Sequence, residues 1–208
     1  MLTRARPDDL EEPPAPVGPS VVLVPGVYET WRFMWALGVH LHAHGVRVHV
    51  VPELGLNRAP IPDSAAVLGA YLARHDLRDV VLVAHSKGGL IGKLAMTSLD
   101  PEGRVASLVA VNSPFGGSKL ARLIPLAAVR TFAPKHPAIV ALDAERAVNA
   151  RITSVRSRWD PHIPGAGDLD GAKQVILQTP GHFRPVTDPG LERLLLTRLT
   201  EQAGEREI

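Results

Sequence analysis

The chain has 208 residues, enough for one domain whose folding removes roughly 70% of the surface exposed by the unfolded chain. With 45% apolar and 21% charged residues and a net charge of +2 spread over interspersed signs, it is composed as a globular protein without an electrostatic footprint for nucleic acid. The absence of cysteine excludes disulfides, thiol nucleophiles and thiolate metal sites, so any nucleophile must come from another residue type.

Residues 1–19 are rich in proline and charge, with no apolar run resembling that of a signal peptide, and are expected to form a disordered lead-in. No stretch approaches the roughly eighteen uninterrupted apolar residues of a membrane span, and a cytoplasmic location is the expectation. Residues 20–208 read as one catalytic domain. Short β-branched runs alternate there with longer helical stretches, the pattern of a parallel sheet with crossover helices.

Val21 to Val24, closed by Pro25-Gly26, reads as a buried strand. Thr30 to His44 carries apolar residues at 31, 34, 35, 38 and 41, a helical spacing, with Gly45 placed as its cap. Val46 to Val51 is the second strand, and Pro52 to Pro62 a loop. Asp63 or Ser64 caps a helix to about His75. Asp79 to Ala84 is nearly continuous in apolar residues, as expected of a central strand covered on both faces. It runs into His85-Ser86-Lys87-Gly88-Gly89 and then a helix to Leu99, ended by Asp100-Pro101. Val105 to Asn112 is a further strand. Residues 113–150, apolar but broken by Pro125, Pro134 and Pro137, are expected to form a small cap inserted between strands. Arg151 to Arg158 and Lys173 to Gln178 supply two late strands, and Leu191 to Leu199 an amphipathic helix.

Acyl transfer at neutral pH needs a nucleophile held clear of its own backbone, a base that touches it, an acid that orients the base, and amide donors for the oxyanion. A strand turning sharply into a helix meets the first need when the flanking residues are small. Ala84-His85-Ser86-Lys87-Gly88 has that form and makes Ser86 the candidate nucleophile.

In these residues the sequence resembles the α/β-hydrolase superfamily, and within it the lipases and esterases, whose elbow reads Gly-x-Ser-x-Gly. Ala84 stands for the first Gly, a replacement found in some bacterial lipases of the family. The resemblance implies an α/β fold with a mostly parallel central sheet, helices on both faces and a short helical cap. It assigns one oxyanion donor to the N–H of Lys87 and the other, from the loop after the first core strand, to Val27 in Pro25-Gly26-Val27. Pro25 replaces the usual His of that loop, but the donor is main chain. The family order of serine, acid and histidine points to Asp160 in Asp160-Pro161-His162-Ile163-Pro164, with Asp143, Asp168 and Asp170 as substitutes. For the base it points to His182 in Gly181-His182-Phe183, with His162 as competitor. Ser113 to Ser118 is similar to the Thr-Pro-x-x-Gly-Ser stretch of lipase-like members.

The resemblance therefore implies a serine hydrolase of carboxylic esters, an esterase or lipase acting on a small-molecule ester or lipid without metal or organic cofactor, and the small cap suggests a shallow site suited to short or medium acyl groups. A thioesterase or amidase with the same triad, or a hydrolase-like scaffold that binds an acyl ligand or protein partner without turnover, are the alternatives. Tyr28, Trp31 and Phe115 are expected at the substrate, although aromatics at helical spacing, here with Phe33, Met34 and Trp35, equally suit the core. Lys87 is expected to place charge near the mouth. His40, His42, His44 and His49 lack the acid that zinc-binding helices carry between their histidines, and read as solvated or edge-of-face residues. The apolar segment Leu120 to Ala141 suits an interfacial lid or a fixed cap.

Overall fold

The computed structural model describes residues 5–122, 125–165 and 167–204. The short β-branched runs become the strands of one sheet: β1 (Val21–Val24), β2 (Val48–Val50), β3 (Val80–His85), β4 (Val105–Val111), β5 (Ile152–Ser157) and β6 (Lys173–Leu177). All pairs are parallel, in the order β2-β1-β3-β4-β5-β6. Because successive side chains of a strand point to opposite faces, each strand feeds two cores. Val81 and Val83 of β3 pack on one face with α1 (Trp35–Ala43) and α6 (Pro189–Gly204). Leu82 and Ala84 pack on the other with α2 (Ile61–Arg74) and α3 (Lys87–Leu94). Being covered on both sides explains why β3 reads as a continuous apolar run.

The elements follow the expected order with local differences. Residues 31–34 form a 3₁₀ turn before α1. α2 starts at Ile61, after Pro60, without a side-chain cap, so neither Asp63 nor Ser64 has that role. α3 widens at its end into a π turn over Ala95–Leu99. Asp100 then closes the loop into β4 by accepting the N–H groups of Arg104 (2.6 Å) and Val105 (2.8 Å).

The lead-in differs most from expectation. Residues 5–19 lie against the domain, with a 3₁₀ turn at Pro7–Leu10. Leu10 is buried among Leu23, Leu37 and Leu41. It seats over Gly38, where an added Cβ would come within 2.9 Å of the Leu10 Cδ1. The Val17 N–H donates to the Gly45 carbonyl at 2.8 Å, and His42 Nδ1 lies 3.0 Å from the Leu10 carbonyl. Leu10, with the buried Pro13 and Pro19 and these two contacts, docks a segment whose average composition is polar.

In the cap stretch, α4 (Ala127–Arg130) and α5 (Pro137–Ala144) follow a 3₁₀ turn at Lys119–Arg122. Ala121, Phe132, Ile139, Leu142 and Val148 join the α2/α3 core. Leu123 and Ile124 of the expected lid lie outside the described residues.

Chain order sets the location of the site. From β1 the chain crosses to β2 on one side and returns to β3 on the other, so the loops leaving the carboxyl ends of β1 and β3 diverge and leave a crevice. The turn after β3 packs tightly there: a Cβ on Gly88 would lie 2.2 Å from the Val24 carbonyl oxygen, a backbone atom of β1. Gly88→Ala is therefore expected to destabilise the fold by about 3 kcal/mol or more, read as a lower urea midpoint at unchanged m-value.

Candidate active site

Ser86, between β3 and α3, has φ 51° and ψ −119°, a conformation a residue with a side chain keeps only when its surroundings impose it. The Ser86 N–H is fixed to the Val111 carbonyl at 2.8 Å, and Gly88 and Gly89 bring the start of α3 against β1 and Ser113. The hydroxyl is thereby turned out at the sheet end, where His182 Nε2 lies 3.0 Å from Ser86 Oγ. His182 Nδ1 lies 2.7 Å from Asp160 Oδ2. His162, the competing base, is half exposed, and its Nδ1 is 3.8 Å from Asp160 Oδ1. Of the substitute acids, Asp168 pairs with Arg156 at 3.2 Å and Asp170 faces Arg146 at 3.9 Å.

The protonation states follow from the surroundings. Burial alone would raise the Asp160 pKa. The hydrogen bond and charge of His182, with the N–H groups of His162 (2.8 Å) and Ile163 (3.3 Å) donating to Oδ1, outweigh that and hold it below the usual carboxylate value. These two amides give the Asp-Pro-His-Ile stretch its local form. Burial is also the largest influence on His182 and lowers its pKa; the Asp160 hydrogen bond opposes this, and the net value stays below that of a free imidazole. At neutral pH Asp160 is thus ionised and His182 neutral. Nδ1–H donates to the carboxylate, and the free lone pair of Nε2 faces the Ser86 hydroxyl.

Val27 borders the same space, and Lys87 is the first residue of α3, where a helix leaves its amide hydrogen without an intrahelical acceptor. The side chain of Lys87 departs from expectation. Instead of charging the mouth it is 1% exposed and runs beneath the loop after β2. Its Nζ donates to the carbonyls of Asn57 (2.8 Å) and Ala59 (2.5 Å) and to Asn57 Oδ1 (3.0 Å). Burial pulls its pKa down to about 8. Asn57 Nδ2 in turn donates to the Pro25 carbonyl at 2.7 Å, so this lysine braces the loop that carries Val27.

A cavity of about 300 Å³ opens beside Ser86 and His182, walled mainly by Val27, Leu126, Val129, Phe132, Ile163 and Phe183, with Tyr28 at its edge. Trp31 and Phe115, expected at the substrate, are core residues instead: Trp31 packs edge-on against Trp35 and Phe115 joins the α2/α3 cluster. Their helical or post-strand spacing could not distinguish the two places. Of the four histidines near α1, His40 and His44 face each other with ring centroids 4.6 Å apart, His44 Nδ1 lying 2.8 Å from the His40 carbonyl and His40 3.6 Å from Glu192, while His42 meets Leu10 and His49 lies 3.3 Å from Glu11. Among the described residues, Asp160, His162 and His182 form a group with metal-ligand spacing, and it coincides with the site above.

Sequence reasoning missed Asn112. It is fully buried at the end of β4 with φ 47°, and its Nδ2 donates to Ser157 Oγ (2.9 Å) and to the carbonyls of Gly181 (3.1 Å) and His182 (2.9 Å). The Ser157 N–H returns a bond to Asn112 Oδ1 at 2.8 Å. This one amide anchors the His182 loop to the sheet. An asparagine directly after a buried strand and before Ser-Pro was the available signal.

The chain matches no protein-family model, and no curated protein is significantly similar to it. Solved structures do match. The mature form of a Bacillus licheniformis lipase superposes with a TM-score of 0.77 over 93% of this chain and 96% of its own, at 18% identity. An α/β hydrolase from the metagenome of sediments of the Mar Chica lagoon, Morocco, gives 0.66 over 93% and 94%, at 16% identity. A monoacylglycerol lipase of Paleococcus ferrophilus gives 0.64 over 89% and 97%, at 14% identity. At these identities the likeness is one of architecture, and the chain has the α/β-hydrolase fold.

Proposed function

We propose that this chain is a serine hydrolase that cleaves carboxylic esters with short to medium acyl chains through an acyl-enzyme intermediate. The observation that carries the reading is the continuous line from Ser86 Oγ through His182 to Asp160, with bonds of 3.0 and 2.7 Å, opening on an apolar cavity. His182 Nε2 takes the hydroxyl proton as Ser86 Oγ attacks the ester carbonyl. Asp160 keeps the imidazole in the tautomer that leaves Nε2 free and stabilises the imidazolium that forms. The N–H groups of Val27 and Lys87 receive the oxyanion. His182 returns its proton to the leaving alcohol, then activates the water that releases the acid.

Support for short to medium acyl chains comes from volume: about 300 Å³ lies at the low end of the roughly 300–1,000 Å³ of ligand pockets. Residues 113–150 act as a fixed cap in this reading. Support comes from Leu126, Val129 and Phe132, which wall the cavity from the cap side, and from Ser118 Oγ, which donates to the His162 carbonyl at 2.9 Å and ties cap to acid loop. The lipases and hydrolases among the structural neighbours favour the same chemistry.

The test is a fluorophosphonate probe with peptide mapping, alongside turnover of p-nitrophenyl butyrate. An adduct on Ser86 and butyrate release are expected; labelling elsewhere, or none, rejects the reading. Matched thioesters and anilides then show whether the oxygen ester is preferred. Because burial holds His182 below the ordinary imidazole value of 6.5, and the base works when unprotonated, the acid limb of kcat/KM is expected to have its midpoint below pH 6.5. A midpoint above that value contradicts the assigned base.

A further inference from the structure

A second acid–histidine pair lies behind the first. His85, the last residue of β3, is completely buried, and Glu29, in the loop after β1, is 9% exposed. His85 Nδ1 lies 2.9 Å from each of the two Glu29 carboxylate oxygens. One of these, Oε2, also accepts the Gly26 N–H at 2.6 Å. On the far side of the ring, His85 Nε2 is 2.9 Å from the main-chain oxygen of His182, which Asn112 Nδ2 also reaches at 2.9 Å.

Counting hydrogens decides the state of this pair. A carbonyl oxygen has none to give, so His85 Nε2 must carry one. Nδ1 bonds Oε2 at 2.9 Å while Oε1 stands equally close, the approach of an N–H to a carboxylate. A protonated acid would instead offer its hydrogen from one oxygen along one shorter bond. The Gly26 amide adds a further donor to the same group. Both ring nitrogens of His85 are then protonated, and the buried cation has the buried anion beside it, as burial of either requires.

We infer that Glu29 and His85 form a buried carboxylate–imidazolium pair that positions the candidate base through the His182 carbonyl and ties it to the oxyanion loop through Gly26. The catalytic half of this statement rests on the serine-hydrolase reading; the protonation half does not. The pair joins the three segments that carry Val27, Ser86 and His182, so it fixes their spacing relative to one another. It also has an electrostatic reach. The His85 and His182 rings are 4.9 Å apart, and a cationic His85 disfavours protonation of His182. The other titratable groups facing His182 are Asp160, which favours its protonation, and His162, whose ring lies 5.0 Å away. His85 itself faces Glu29 and His182, its remaining ring neighbours being Phe33 and Phe183.

Two variants separate bonding from charge. In Glu29→Gln the amide can still accept from Gly26 and donate to a neutral His85, which keeps Nε2–H for His182; the bonds persist and the charge goes. In Glu29→Leu the bonds go too. The decisive measurement is on the ¹⁵N-labelled wild type at pH 8, where each ring nitrogen of His85 is expected to show an attached hydrogen. In Glu29→Gln the acid limb of kcat/KM is expected to move up by at least roughly half a pH unit, with the plateau kcat within about threefold of wild type. In Glu29→Leu the plateau kcat is expected to fall about tenfold while KM changes less than about twofold, the scale seen when an outer hydrogen-bond partner of a site is removed. A bare nitrogen on wild-type His85, or wild-type kcat in Glu29→Leu, overturns the proposal. Failure of the probe to label Ser86 in wild type would reject the hydrolase reading instead, and the nitrogen spectrum decides the pair independently of that outcome.

Discussion

Ser86→Ala is expected to lower kcat for short p-nitrophenyl esters by roughly 10⁶-fold and to abolish the fluorophosphonate adduct. In the proposed mechanism the hydroxyl is both attacking atom and proton donor, so nothing in the variant replaces it. Oxyanion donors and binding alone retain about 10³–10⁴-fold over water in enzymes of this chemistry, which sets the residual rate. KM should change little, because the apolar wall of the cavity beside Ser86, with Val27, Phe132 and Ile163, is left in place. Stability should also change little. Alanine carries the same Cβ as serine into the φ 51° conformation, so the strain at the turn is equal in both. Rate, adduct mass and urea midpoint measured on one preparation therefore separate chemistry from folding. A variant within a hundredfold of wild type with an unchanged midpoint removes Ser86 from the reaction.

Asp160→Asn is expected to lower kcat by about 10⁴-fold with the fold intact. The two backbone amides at 2.8 and 3.3 Å hold Oδ1, and an asparagine placed there keeps its carbonyl oxygen toward them. Its NH₂ then faces His182 Nδ1, which must become the acceptor. The imidazole hydrogen moves to Nε2 and points at Ser86 Oγ, so the base offers a hydrogen where a lone pair is needed. Loss of the carboxylate also removes the partner of the imidazolium that forms during attack. A chloromethyl ketone or fluorophosphonate reacting with the variant at the wild-type rate would show that the tautomer of His182 is not set by Asp160.

Local features of the chain foretold much of this architecture. The runs Val21–Val24 and Val80–His85 are strands because β-branched, uninterrupted apolar segments satisfy a sheet covered on both faces. The sharp turn at Ser86 was legible because a strand run, a small residue at 84 and glycines at 88 and 89 stand next to one another in sequence. The order of Ser86, Asp160 and His182 was legible only through resemblance, since 96 residues separate the first from the last. Their hydrogen bonds arise where the carboxyl ends of β3, β5 and β6 come to one edge.

Residues whose partners lie in other segments were the ones misread. Lys87 sits in the elbow, yet its ammonium is held by Asn57 and Ala59, about thirty residues away, because α3 runs beside the loop after β2. Trp31 and Phe115 have spacings that fit a pocket wall, yet both pack in the core. The lead-in read as disordered because the notch that Gly38 offers Leu10 lies in another segment.

The amino-acid sequence by itself determined the strands, the crossover helices, the two-sided burial and the sharp turn at Ser86. Each of these depends on the periodicity and size of neighbouring residues. Only the tertiary structure decided that Asn112 anchors the His182 loop, that Lys87 points inward, and that Glu29 meets His85. These contacts depend on which loops the strand order brings together at the carboxyl end of the sheet, and distance along the chain carries no trace of that proximity.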